Sequence, residues 1–301
     1  MHTEMWTHPA TVANTATLRS RGVAVVDPAV GRLTGADSGP GRLPEPEHIA
    51  ALADLLHRDP QALRRDLVGR RIVISAGGTR ELLDPVRYLG NRSSGRQGYA
   101  LALVAAARGA QVTLVSANAP LLQPPGVAVV PVTDARELET AMVELSAGAD
   151  AVVMAAAVAD FRPASTVTTK IKKVSGQDPA PLTLVKNPDI LARLSQPGPG
   201  RPQVVVGFAA ETGDGSADPT ASVLAYAREK LARKGCDLLV VNRVDDGRAF
   251  EVTDNAGVIL AAAGDRPGGW SEVVAEAPIG PKTVLAAAVC DAVAARLGPL
   301  E

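Results

Sequence analysis

From Arg71 onward, short continuous apolar runs alternate with longer stretches whose apolar residues recur at helical spacing. The runs RIVISAG (71–77), AQVTLVSA (110–117), the opening of ADAVVMAAAVAD (149–160), PQVVVGFAAET (202–212) and CDLLVVN (236–242) read as strands buried on both faces. Between them, RQGYALALVAAARG (96–109) reads as a helix ending at Gly109, a residue free to take the left-handed C′ conformation. DARELETAMVELSAG (134–148) reads as a helix with Asp134 as its N-cap. DPTASVLAYAREKLARKG (218–235) and KTVLAAAVCDAVAARL (282–297) are two more helices, and RAFEVTDNAGVILAAAG (248–264) alternates around Asp-Asn-Ala-Gly as a hairpin. Strands alternating with helices predict an α/β fold: a parallel sheet with helices on both faces and a C-terminal β-hairpin. In such sheets ligands bind outside the carboxyl ends of the strands, near the switch point. That rule singles out Gly77–Thr79, Ser116–Asn118, Ala155–Asp160, Phe208–Thr212 and Asn242.

Residues 1–47 lack sustained periodicity and are dense in Gly, Pro, Asp and Ser, as in VDPAVGRLTGADSGPGRLPEPEH (26–48). They read as an irregular arm, followed by helices over Pro46–Leu56 and Asp59–Leu67. The predicted organisation is an arm and linker over 1–68 and a main domain over 69–301. A chain of 301 residues, 46% hydrophobic and 21% charged, can bury a sizeable core. A net charge of −1 and a pI of about 6.5 give no footprint for nucleic acid or an anionic membrane. No apolar run approaches the ~18 residues that span a bilayer. The N-terminus lacks the basic and apolar regions of a signal peptide, and Cys236 and Cys290 are far apart, which predicts a cytoplasmic protein with reduced thiols. All four histidines (His2, His8, His48 and His57) precede the α/β pattern. Chemistry there must work without imidazole. That disfavours Ser-His-Asp hydrolysis and His-zinc catalysis, and favours reactions run on positioning and charge stabilisation, such as nucleotidyl transfer.

Two small-residue clusters follow the first strand. Gly77 and Gly78 let backbone N–H groups approach a phosphate closely, and Ser93 or Ser94 is the expected N-cap of the next helix, whose N-terminus is a second anion site. The split turn suits one triphosphate and one phosphorylated substrate, although a plain glycine turn before a capped helix accounts for the same residues. The second strand ends in VSANAP, without the carboxylate that a dinucleotide ribose calls for. Asp160 stands at a strand end, where it either holds Mg²⁺ against a triphosphate or caps a turn. Lys170, Lys172 and Lys173 lie on a loop that either closes over an anion or is a solvated basic turn. Asn187 precedes Pro188, with Asp189 opening a short helix, and Lys230 and Lys234 share one helix face.

Taken in order, SAGGTRELLDPVRYLGNRSSGRQG, AAAVADF, KIKK, KNPDIL, GFAAET and KLARKGCDLLVVN resemble bacterial phosphopantothenoylcysteine synthetase, the ligase half of a bifunctional coenzyme A biosynthesis protein. The resemblance covers about residues 70–295. It implies a Rossmann-type fold, a homodimer (a higher oligomer in a full-length bifunctional protein), and Mg²⁺ or Mn²⁺. The implied reaction uses CTP and 4′-phosphopantothenate to form an acyl-cytidylate and pyrophosphate; L-cysteine then displaces CMP. By motif, Asn91 matches the family's residue at the acyl intermediate and Lys170 its catalytic lysine on a flap. Asp160 matches a nucleotide- or metal-contacting residue. Gly77, Gly78, Thr79, Met154, Ala155, Ala156, Pro188, Asp189, Ile190, Leu191, Phe208, Lys230 and Lys234 are the implied nucleotide contacts. Arg87, Ser93, Ser94, Gly95 and Ala157 are candidates for the substrate, Arg87 for its phosphate. The arm is similar to the end of the family's flavin-dependent decarboxylase half, but Gly35 stands where a catalytic Cys is usual, two residues before Asp37. No FMN and no decarboxylase activity are expected of this chain. An NAD(P)-dependent reductase and a non-catalytic nucleotide-binding regulator are the alternative readings.

Overall fold

The computed structural model describes residues 1–172, 181–211, 219–243, 254–262 and 271–299. One sheet holds eight strands: β1 (Arg71–Gly77), β2 (Gln111–Ala117), β3 (Val127–Val132), β4 (Ala151–Met154), β5 (Val204–Glu211), β6 (Leu238–Arg243), β7 (Asp254–Ala262) and β8 (Ser271–Pro281). Their spatial order is β3-β2-β1-β4-β5-β6-β7-β8. Strands β3 to β6 in that order are parallel, and β7 and β8 extend the sheet antiparallel. The order reverses between β1 and β4, so a crevice opens at their carboxyl ends.

Seven helices matter below: α1 (Pro9–Ser20), α2 (Pro46–Arg58), α3 (Arg96–Ala107), α4 (Ala135–Ser146), α5 (Ile190–Ser195), α6 (Pro219–Lys234) and α7 (Lys282–Leu297). The strands read as continuous apolar runs because successive side chains feed opposite layers. Ile72, Ile74, Leu238 and Val240 join a core with α3 and α7, while Val73, Leu239 and Val241 join one with α4, α5 and α6. Each such side chain, fully buried, contributes about 2 kcal/mol. Asp134 caps α4 as expected, its carboxylate accepting from Arg136 N and Glu137 N. Gly109, at φ +97°, follows α3.

Four expectations change. Residues 1–47 are not irregular: they hold α1 and an antiparallel ribbon, Ala29–Arg32 with Ser38–Arg42. The start signal of α1 is Pro9 at its first turn, with His8 Nδ1 accepting from Ala10 N. The expected helix over Asp59–Leu67 is a series of turns, because Asp59 turns its side chain onto Gln61 N and Asp66 is drawn to Arg108. Strand β3 was not anticipated; it is a half-exposed edge strand containing Pro131, and an edge is where a strand tolerates proline. The C-terminal hairpin exists but is shifted. Asp254–Gly257 lies inside β7, at a bulge, and β7 pairs with β8, while residues 248–253 lie outside the described residues.

The arm's second half packs into the main domain. Leu55, Ala62 and Leu67 belong to the core beside α3 and α7. Arg108, with a side chain 0% exposed, donates to both carboxylate oxygens of Asp66 and to Asp291.

Candidate functional site

Gly77 ends β1 at φ +88°, and a Cβ there would lie 1.9 Å from Ala117 O. The turn that follows stitches three strand ends together. Gly78 N donates to Ala117 O (3.0 Å), Ala157 N to Gly77 O (2.8 Å), and Thr79 N to Ala157 O (3.2 Å). Thr79 Oγ1 accepts from Ala159 N, and Asn118 Nδ2 bridges Gly78 O and Thr133 O. The N–H groups of Gly78 and Thr79 thus bond within the protein. This turn joins the ends of β1, β2 and β4.

Beyond β4 the chain builds a cleft of about 510 Å³. Met154, Ala156, Pro188, Ile190, Leu191 and Phe208 form its apolar wall, and Asp160, Lys186, Asp189, Lys230 and Lys234 its charged rim. Asn187 is the local organiser. It donates from Nδ2 to Ala159 O (2.8 Å) and from its backbone N to Asp160 O (2.9 Å), and it accepts from Arg162 Nη1 (3.0 Å). Those bonds close the ribbon of Phe161–Pro163 with Leu184–Lys186, and so bring Asp160 and Lys186 to one edge. Asp189 caps α5 through Ala192 N and accepts from Lys234 Nζ. Burial pushes the Asp189 carboxyl up, but the bonds from Lys234 and Ala192 N outweigh it and hold it below the usual carboxylate range. A Cβ at Gly207 would lie 2.6 Å from Leu191, so glycine lets α5 close onto β5.

A second lobe of about 150 Å³ adjoins this cleft at Ala156 and Phe208, which line both. The N-terminus of α3 forms one side of it. Gly95 is the N-cap, left-handed at φ +74° and without a side-chain cap bond, which replaces the expected serine cap. Ser93 Oγ instead accepts from Gly95 N, one residue ahead of the helix. A Cβ at Gly98 would sit 2.5 Å from that of Ala76, so the first turn of α3 lies hard against β1. Asn242, at the end of β6, and Lys282, at the start of α7, form the other side. Gln97 joins the two helix starts, donating to Lys282 O and accepting from Asn255 Nδ2.

A third feature flanks the crevice. The side chain of Asp84 is wholly buried and accepts from Val86 N, Arg87 N, Ile171 N and the Arg87 guanidinium. Arg87 Nη2 also donates to Ile171 O (2.9 Å). The foot of the Lys170 loop is therefore pinned to the DPVR turn.

The model of the DNA/pantothenate metabolism flavoprotein C-terminal domain matches residues 67–296. The chain belongs to this family. A flavoprotein model also matches residues 1–56. The "Coenzyme A biosynthesis bifunctional protein CoaBC" of Mycobacterium tuberculosis is 53% identical over 299 residues, covering 97% of this chain and 68% of that protein. The protein of the same name from Vibrio vulnificus is 40% identical over 286 residues, covering 95% of this chain and 66% of the relative. Among solved structures, a C-terminal domain of CoaBC aligns with a TM-score of 0.59 and 31% identity, over 77% of this chain and 98% of that one. A Cab2 variant solved with phosphopantothenate-cysteine shares the fold at 18% identity and a TM-score of 0.55.

Within this flavoprotein C-terminal domain, the residues singled out by motif divide by place. Met154, Ala156, Asp160, Pro188, Asp189, Ile190, Leu191, Phe208, Lys230 and Lys234 meet in the larger cleft. Ser93, Ser94, Gly95, Ala155 and Ala157 line the smaller lobe. Asn91 lines neither lobe; its Nδ2 donates to the backbone of Val158, which lines the larger cleft (3.0 Å). Gly77, Gly78 and Thr79 line neither lobe. Arg87, expected at a substrate phosphate, is bound to Asp84 and Ile171 O. Lys170 is exposed and lines neither lobe, and Lys173 lies outside the described residues. Sequence reasoning missed Lys186 and Lys282. Lys186 ends a three-residue ribbon too short to show a period. Lys282 follows a proline at a helix start, where a cation opposes the helix dipole, and that mismatch was the available signal.

No helix among the described residues is long and apolar enough to cross a membrane.

Proposed function

We propose that the chain is a CTP-dependent ligase joining 4′-phosphopantothenate to L-cysteine in coenzyme A biosynthesis. The observation that carries this reading is convergence: stretches ending β4, opening α5, within β5 and along α6 meet in one cleft that combines an apolar slot with three lysines and two carboxylates. An apolar slot with few placed polar groups suits a nucleoside, and the lysines suit its phosphates. In the first step a carboxylate oxygen attacks the α-phosphorus of CTP; a P–O bond forms and pyrophosphate leaves. In the second, the cysteine amine attacks the acyl carbon, a C–N bond forms, CMP leaves and the amine proton passes to solvent. Neither step needs imidazole. Lysines at the rim disperse the growing negative charge, and we assign the Asn91 amide as donor to the oxyanion, a role it takes up by leaving Val158 O.

Asp160 has no ion-pair partner among the described residues and lies on the lysine-lined rim. One carboxylate plus phosphate oxygens is a common Mg²⁺ donor set, so the residues present fit a metal delivered with the nucleotide. Mg²⁺ bound there would neutralise phosphate charge. A dinucleotide reading lacks its ribose carboxylate: Asn118 follows β2 and its amide is used on Gly78 O and Thr133 O. The exposed Leu82, Val86, Tyr88, Phe161, Leu184 and Val185 on two neighbouring ribbons support a homodimer.

The deciding experiment measures pyrophosphate release from CTP and Mg²⁺, with and without phosphopantothenate, before cysteine is added. Release that requires phosphopantothenate is expected. CTP binding without release would leave a nucleotide-binding regulator; NADPH binding in place of CTP would leave a reductase.

A further inference from the structure

Lys282 lines the smaller lobe at a place where a helix start and a neighbouring arginine both oppose a cation. It is 8% exposed, and its ammonium has no hydrogen bond or ion pair among the described residues. It occupies the first position of α7, at the positive end of the helix dipole. Arg96 is the charged neighbour that opposes it, and Asp254 the one that favours it. Burial is the largest influence on this amine and pushes its pKa down, with Arg96 adding to the effect. The surroundings repeat the pattern. The first turn of α3 is uncapped by any side chain, and the buried Asn242 Oδ1 and Thr283 Oγ1 have no hydrogen-bond partner among the described residues. Buried polar groups left unsatisfied cost stability, and a buried cation costs more. An anion in the smaller lobe would answer the cation and the helix N-terminus together.

We infer that Lys282 is a phosphate ligand: with the N-terminus of α3 it holds the polyphosphate end of the nucleotide in the smaller lobe. The inference rests on the nucleotide reading of the larger cleft. The geometry favours the polyphosphate because the two lobes adjoin at Ala156 and Phe208, which line both, so a nucleotide whose nucleoside occupies the larger lobe can extend its terminal phosphates toward the smaller. Asn242 faces the same lobe from β6. Its Oδ1 is buried and has no hydrogen-bond partner among the described residues.

The test compares wild type with Lys282→Met and Lys282→Arg, by calorimetric titration with inorganic pyrophosphate, CMP and phosphopantothenate, each with Mg²⁺. One lost charge-assisted bond predicts that Lys282→Met binds pyrophosphate about 10- to 100-fold more weakly. CMP and phosphopantothenate affinities should hold, and Lys282→Arg should recover part of the pyrophosphate loss. Thermal melting separates a ligand from a structural lysine. Removing an unpaired buried charge should leave the unliganded Lys282→Met melting temperature unchanged or higher, while the upward shift caused by pyrophosphate disappears. A lower melting temperature without ligand, unchanged pyrophosphate binding, or a loss confined to phosphopantothenate overturns the inference. If wild type binds CMP but not pyrophosphate, the inference falls and the nucleotide reading stands; if it binds neither, the nucleotide reading itself falls.

Discussion

Arg87 Nε donates to Asp84 Oδ2 at 3.0 Å, and the carboxylate on the far side of that bond has no exposed surface. The same carboxylate accepts Ile171 N, so one buried acid holds both the arginine turn and the root of the lysine loop. The Arg87 guanidinium, together with the N–H groups of Val86, Ile171 and Arg87, keeps Asp84 well below the usual carboxylate range in spite of burial. A depressed pKa stabilises the fold above the unfolded carboxylate value of about 3.9, and that stabilisation is lost as pH falls through the folded value. Asp84→Asn should therefore melt lower than wild type at pH 7, with the gap shrinking below about pH 4. Trypsin should also cut at Lys170 or Lys172 sooner in the variant. A gap that is constant with pH, with unchanged cleavage, would remove Asp84 from this role.

Asn91 and Lys170 should separate the half-reactions. Asn91→Asp is expected to release pyrophosphate but transfer poorly to cysteine, because a carboxylate cannot donate to an oxyanion. Lys170→Gln is expected to fail earlier, at cytidylate formation. Quench experiments that follow pyrophosphate and final product in parallel read both. Full product formation by both variants would mean the roles are misassigned.

Lys234 lines the larger cleft and holds Asp189 at the start of α5. Lys234→Met leaves that carboxylate facing the nucleotide without its partner. The KM for CTP should rise about tenfold or more, the cost of one charged hydrogen bond, with a smaller change in kcat. The double variant Lys234→Met, Asp189→Asn should recover part of the loss. Steady-state kinetics at fixed phosphopantothenate and cysteine give the comparison.

Gly77 and Gly126 both have positive φ, at +88° and +72°, but only Gly77 faces a neighbour, with a Cβ falling 1.9 Å from Ala117 O. Gly126→Ala should cost about 1 kcal/mol, the strain of a left-handed non-glycine residue. Gly77→Ala must also move the β1–β2 ladder and should cost roughly 3 kcal/mol or more. Denaturant titration of the two variants would show equal losses if the close approach were unimportant.

The strands from β1 to β6, apart from β3, were legible because burial on both faces leaves uninterrupted apolar runs. Edge strand β3 was not, since one exposed flank breaks its run and Pro131 reads as punctuation. The cleft residues were legible by motif because they sit at strand ends, where topology sends any ligand. The motif gave no hint that Gly78 and Thr79 use their N–H groups on neighbouring strands; hydrogen bonds between segments so distant in sequence leave no local signature. Lys282 was hidden for a similar reason: its significance comes from Asn242 and the start of α3, both far from it along the chain.

The guanidinium of Arg108 has a practical consequence for anyone shortening this polypeptide. A version starting at residue 69 would discard Asp66 and leave a side chain of 0% exposure with Asp291 as its one carboxylate partner among the described residues. Losing one partner of a buried charge costs roughly 3 kcal/mol, and the patch beneath Leu55, Ala62 and Leu67 would be stripped to solvent as well. Expression of an isolated catalytic unit should therefore begin ahead of Pro46, taking with it a helix that chemistry does not require but solubility does.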